Sequence, residues 1–151
     1  MFRCIKFPYC KLIRYREGQR AFSVLEQAAR RQRGSQLLKL PNGARAVVEE
    51  RKVTHYLLDP TNSRNQGKPG FFLRFGFTVE EWHIMASALR DHAMTYDVAL
   101  TEDAEHGVRY TIIGALMTPD GRNPVVRSVW EVRREGDAPR LLTAVPQRRR
   151  Q

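Results

Sequence analysis

The chain has 151 residues, 42% of them hydrophobic, only two cysteines, and a formal net charge of +10. That length and apolar content suit one folded domain plus an extension and argue against a wholly disordered chain. No apolar run reaches the ~18–20 residues that a bilayer-spanning helix needs, the N-terminus has no secretory-signal pattern, and Cys4 and Cys10 are too few for a disulfide framework or a zinc site.

The charge is not spread evenly. Residues 1–36 carry nine Lys/Arg against two acids, residues 37–146 carry fourteen of each, and residues 147–151 add Arg148, Arg149 and Arg150. The excess of +10 therefore belongs to the two ends, and the segment 37–146 is neutral. Basic ends attract phosphate backbones or acidic partners without reading sequence, and they serve equally as solubilising tails. The expected organisation is a basic extension over 1–36, a core domain over 37–146 and a basic tail over 147–151, in a reducing, cytoplasmic setting away from membranes.

In chain order, Phe2–Tyr15 mixes apolar and basic residues and reads as a docked strand or an interaction arm. Gln19–Arg33 has helical spacing in Phe22, Leu25 and Ala29, with Arg30, Arg31 and Arg33 in its last turn and Gly34 as a stop. Leu37–Leu40, Pro41-Asn42-Gly43 and Ala44–Val48 predict strand, turn, strand. Glu49–Leu58 predicts a short helix with Val53, Tyr56 and Leu57 on one side, ended by Asp59-Pro60. A polar loop over 61–67 leads to Lys68 and the apolar cluster Phe71, Phe72, Phe75 and Phe77. Thr78 with Glu81 forms a capping-box pattern before Trp82, Met85, Ala86, Leu89 and Ala93, which recur at helical spacing.

Beyond Met94 the period changes to two. Strands are expected at Asp97–Thr101, Val108–Met117, Val125–Arg133 and Arg140–Val145, joined by short links containing Gly and Asp that favour hairpins. Helices first and an antiparallel sheet afterwards make an α+β domain, with the N-terminal helices packed on a four-stranded sheet.

Alternation along the third strand sends Val126, Ser128, Trp130 and Val132 to one face and Arg127, Glu131 and Arg133 to the other. With Arg109, Thr111 and Arg140 on neighbouring strands, the second face can hold a phosphate between arginines, or it can be a solvated face whose arginines pair with acids such as Glu131. Among the histidines, His55, His83, His92 and His106, His92 lies beside the apolar helix stripe, His83 faces solvent and His106 sits in a turn. The sequence has no phosphate-binding loop, no dinucleotide-binding glycine motif, no serine-hydrolase elbow and no zinc-protease helix. No cofactor is expected.

Several stretches in fixed order resemble a bacterial family of domains of unknown function, found as small stand-alone proteins and at the ends of toxin-like proteins. They are Leu40-Pro41-Asn42 with Ala46–Val48, Tyr56–Pro60, Lys68 with Phe71-Phe72, Phe75–Thr78, and Trp82 with Ala88-Leu89-Arg90 and His92. Gly107–Tyr110, Thr118–Arg122, Val126–Trp130 and Pro139–Ala144 complete the set. The order of elements is more distantly similar to the ribonuclease toxins of the barnase, EndoU and RelE type.

That resemblance implies attack of an RNA 2′-OH on the adjacent phosphate without a metal. In it Lys68, Arg127 and Arg140 are the cations, Ser128 or Thr143 positions the phosphate and His92 carries the proton. RNA is the implied partner, with an acidic antitoxin or immunity protein as a second. One position departs from the pattern. A histidine usually stands two residues after Asp59-Pro60, and this chain has Asn62. The departure favours the alternative reading, a non-catalytic RNA- or protein-binding module of a toxin–antitoxin-like system.

Because all of the charge excess lies in 1–36 and 147–151, deleting both segments should flatten the salt dependence of RNA binding, whose slope follows the number of phosphates held. An unchanged slope for the isolated core, measured by titration at several salt concentrations, would assign the phosphate binding to the core instead.

Overall fold

The computed structural model describes residues 38–65 and 67–147. The strand and helix expected within 1–36, and the arginines at 148–150, lie outside the described residues. From Asp97 onward the two-residue period becomes four strands, β1 Val98–Ala104, β2 Gly107–Ala115, β3 Val125–Val132 and β4 Arg140–Pro146. They pair antiparallel in chain order as a meander.

Register sorts the side chains into two faces. Tyr110, Trp130 and Leu141 are cross-strand partners, as are Ile112, Ser128 and Ala144. These rows form the face packed against the helices; Trp130, Ile112, Ser128 and Ala144 are fully buried. The opposite face carries the rows Arg109–Glu131–Arg140, Thr111–Val129–Thr143 and Ile113–Arg127–Val145. A bulge in β4 leaves Leu142 without a partner on β3, the kind of irregularity that re-aims side chains near a strand edge.

Three helical segments precede the sheet. Helix α1, Glu50–Lys52, runs directly into a π-helical stretch, Val53–Leu57. Val53, Leu57 and Leu58 are fully buried there, so the apolar side read from the sequence is real although the winding is wider than an α-helix. Helix α2, Lys68–Arg74, starts after Gly67 in a left-handed conformation, with Pro69 in its first turn, where a missing N–H costs nothing. This helix carries Phe71 and Phe72. Phe72 packs edge-on against both Phe71 and Phe77.

Helix α3, Trp82–Thr95, buries Met85, Ala86, Leu89, His92 and Ala93, while Trp82 is partly buried at the margin of the same core. The helix begins three residues later than the Thr78 pattern predicts. Thr78 Oγ1 accepts the Glu81 N–H at 3.2 Å, but that bond closes a separate turn, and Glu81 itself is the cap, without a side-chain hydrogen bond. No helix of the described residues is long and apolar enough to cross a membrane.

The expected strand, turn and strand over 37–48 do not form a hairpin. Asn42 takes a left-handed conformation and Gly43–Arg45 is a 3-10 turn. The two flanks pair with the sheet in place of each other. Leu38 O accepts Val98 N–H at 2.7 Å, while Val47 exchanges bonds with Pro139 O at 2.8 Å and Leu141 N–H at 3.1 Å. The result is one parallel bridge, Val47 to Arg140. A short apolar run satisfies its backbone wherever a free strand edge is offered, and here the β4 edge is within reach.

Gly114 on β2 faces the ring of Tyr96, and a Cβ there would fall on the ring carbons. Gly114→Ala should therefore cost ~1–3 kcal/mol by overpacking. Equilibrium denaturation of the wild type and the variant checks this; a loss well under that range would mean Tyr96 moves aside freely.

Candidate functional site

The residues that the sequence singles out for chemistry fall into three groups. The first is buried. His92 projects from α3 into the core and is 3% exposed. Its Nε2 lies 3.3 Å from Gly114 O and its Nδ1 3.2 Å from Ser128 Oγ. Ser128 Oγ in turn accepts the Trp130 Nε1–H at 2.9 Å. One assignment satisfies every atom. Nε2–H donates to the carbonyl, Ser128 O–H donates to Nδ1, and the indole donates to Ser128. Burial pushes the His92 pKa below that of an ordinary histidine, against the opposing pull of backbone hydrogen bonds to Gly114 and Val126. The ring is therefore held neutral. It ties α3 to β2 and β3, and it presents no nitrogen to solvent.

The second group comprises the arginines of the open sheet face. Arg127 and Arg140 are both exposed and on the same face, but they are not neighbours. Arg140 stands opposite Glu131, four residues along β3 from Arg127, which is ~13 Å at the rise of a strand. Arg140 Nη1 pairs with Glu49 Oε1 at 3.0 Å and Arg133 Nε with Glu131 Oε2 at 3.6 Å. On this face Arg140 and Arg133 are thus paired with acids, while Arg127 stands opposite Ile113 and Val145.

The third group meets at the β4 edge, around a residue that motif and period did not single out for chemistry. Lys68, at the start of α2, is only 8% exposed. Its Nζ donates to the Tyr56 hydroxyl at 2.5 Å and sits 4.2 Å from the ring centre; the Lys52 ammonium lies over the same ring at 5.1 Å. The phenol is held below the ordinary tyrosine range. The Lys68 hydrogen bond is the largest cause, partial burial works against it, and Thr143 and the charges of Lys68 and Lys52 add to it. Thr143 Oγ1 is itself buried without a hydrogen-bond partner of normal geometry. Lys68 and Thr143, chosen from sequence, are thus brought together by Tyr56, which contributes the acid–base group. The available signal for Tyr56 was its place in the Tyr56–Pro60 stretch, twelve residues before Lys68.

The loop between them is built by asparagines. Asn62 Nδ2 donates to His55 O at 2.7 Å and its Oδ1 accepts Arg64 N–H at 3.0 Å. Asn65, 4% exposed, donates to Asp59 O. Asn62 is therefore a loop clamp, and the exposed His55 beside it bonds Thr54 Oγ1 at 2.6 Å.

Comparison with known proteins bears on the whole core. The family model described as Domain of unknown function (DUF6883) matches residues 39–148. The chain belongs to this family. The DUF6883 region covers every element described above. A chain from a solved "Contact-dependent growth inhibition toxin - immunity protein complex from Klebsiella pneumoniae 342" shares the fold at 19% identity, with a TM-score of 0.55 over 67% of this chain and 99% of that one. No curated protein matches.

The neutral, buried His92 gives the DUF6883 core a pH signature. Its folded pKa lies below the unfolded value of ~6.5, so the unfolded chain takes the proton first. Stability is full above ~6.5 and should decline as pH falls through that value towards the folded pKa. Thermal melts between neutral and mildly acid pH test this, and His92→Gln should lack that part of the slope. Ser128→Ala, which orphans the indole N–H, should cost ~1–3 kcal/mol at neutral pH.

Proposed function

We propose that residues 37–146 act as a toxin-type, metal-independent ribonuclease domain whose chemistry lies at Tyr56, Lys68 and Thr143. The observation that carries the reading is the Lys68–Tyr56 hydrogen bond, which biases a phenol towards its ionised form at a half-buried strand edge. A lowered phenol pKa brings a tyrosine nearer to the range where general-base catalysis is effective. The shared fold with a chain from a growth-inhibition toxin–immunity complex is consistent with a toxin role.

In this reading Tyr56 takes the proton from an RNA 2′-OH as that oxygen attacks the neighbouring phosphorus. Lys68 faces the charge that builds on the phosphorane oxygens, and the buried Thr143 hydroxyl orients the Tyr56 oxygen beside it. The 5′-oxygen leaves with a proton from Lys68, and Tyr56 returns one to Lys68 through their hydrogen bond, so the site ends as it began. The products are a 2′,3′-cyclic phosphate and a 5′-hydroxyl. The proton-carrying role that the family resemblance suggested for His92 passes to Tyr56 here, because the His92 nitrogens are both engaged in the core. Arg140 and Arg127 hold the RNA strand near the site. An acidic antitoxin or immunity-type partner would silence the domain by covering Lys52, Tyr56 and Lys68.

The test is incubation of the full chain with mixed RNA in EDTA, followed by analysis for cyclic-phosphate ends. Tyr56→Phe should lower the rate by ~10²–10⁴ and Lys68→Met by ~10²–10³, with circular dichroism unchanged. In parallel, ultraviolet titration should find one of the five tyrosines ionising early in the wild type and not in Lys68→Met. Cleavage equal to that of Tyr56→Phe would remove the enzyme reading and leave a binding module.

A further inference from the structure

At the end of the sheet, His106 from the β1–β2 turn and Arg133 and Arg134 from the segment after β3 line an open cleft of about 490 Å³. Gly107 makes the approach possible. Its φ is +150°, and a Cβ there would collide with Val132 O and Arg133 Cα, so the hairpin tip can lie flat against the end of β3 only with glycine at that position.

Among the described residues the lining is cationic or donor-bearing, and the nearby acids neutralise it only in part. Arg133 pairs with Glu131 at 3.6 Å, and His106 lies 4.0 Å from Glu105, with both of those side chains largely exposed. The Arg134 side chain makes no hydrogen bond or ion pair among the described residues. A cleft that offers two guanidinium forks and an imidazole suits a phosphate group, which guanidinium binds bidentately.

Its position relative to the Tyr56 edge suggests which phosphate. Thr143 stands opposite Val129, Arg140 opposite Glu131, and Arg133 follows two residues further along the chain from Glu131. The cleft thus lies ~13 Å along the strand from the level of Thr143, with Arg140 between. Arg140, Arg133 and Arg134 follow one another from the level of Thr143 towards the end of the sheet. We infer that the His106–Arg133–Arg134 cleft is an exosite that holds a backbone phosphate of single-stranded RNA at a distance from the bond being cut. The identity of the polyanion rests on the ribonuclease reading; the anion site rests on the cleft alone.

Arg134→Ala is the clean variant, since it removes charge without orphaning the nearly buried Glu131. His106→Ala/Arg134→Ala extends it. Binding of a uniformly 2′-O-methylated, uncleavable RNA oligomer by the full chain is measured by fluorescence anisotropy over a series of salt concentrations. The log–log salt slope should fall by about 0.7 for each phosphate no longer held. In cleavage assays KM for long RNA should rise several-fold with kcat unchanged, and a dinucleotide too short to reach the cleft should be cut as by the wild type. A wild-type slope in both variants, or no binding of the oligomer by the wild type, overturns the exosite. A reduced slope in variants of a chain that cleaves nothing would uphold the cleft and sink the ribonuclease reading, so the two fail separately.

Discussion

Trp130 is the residue around which the domain closes. It is fully buried at the centre of β3, and a buried indole N–H must find an acceptor. Ser128, two residues away on the same face, supplies the acceptor and then needs one for its own hydroxyl. His92 provides that from α3, and the far side of its ring reaches Gly114 on β2. One polar chain thus joins α3 to two strands through the apolar cluster between helices and sheet. Hydrophobic packing alone would tolerate small slides of α3 over the sheet, whereas a hydrogen-bonded chain with no spare atom permits one register.

With the sheet clamped on one side, its two edges have different fates. The β4 edge is partly covered by the Val47 bridge, by α1 and its π-helical continuation, and by α2, and that is where Lys68, Tyr56 and Thr143 meet. The β1 edge is mostly exposed and carries Glu102 and Asp103. Inserted charge is a common way to keep a free edge from pairing with another chain. Polar chemistry gathers where the edge is covered, because a cation held against a partly buried phenol is little screened by water and outweighs the opposing effect of burial, which an open strand does not allow.

All four strands could be read from the sequence, with ends displaced by up to three residues, because a two-residue period and Gly/Asp turns are local signals. The apolar side of α3 was equally plain, and alternation had already put Ser128 with Val126 and Trp130. What escaped depends on distant partners. Leu38 and Val47 look like strand residues, yet their hydrogen bonds go to Val98, Pro139 and Leu141, about fifty or more positions away in every case. The helix at Lys68–Arg74 has phenylalanines too closely clustered to show a period. For the site, Lys68 and Thr143 were named from their motifs. Tyr56 was not, because its altered acidity comes from a lysine twelve residues on and a threonine on the last strand. Burial of both His92 nitrogens likewise follows from packing, and a helical wheel cannot supply it.

The π-helical stretch gives the β4 edge an unusual dependence on chain length. A π turn takes up more residues than an α turn, so Val53–Leu57 accommodates backbone that an ordinary helix would not. Leu57 and Val53 are anchored in the core, and Tyr56 is aimed between two lysines by that wider winding. Loss of one residue from the stretch would let it relax to α geometry with the anchored residues on either side keeping their places, so the phase within the stretch would change. The aim of the phenol is therefore encoded in a residue count as much as in residue identity. Variants of this domain that differ there by a single deletion would keep the same core composition and present a different side chain to Lys68.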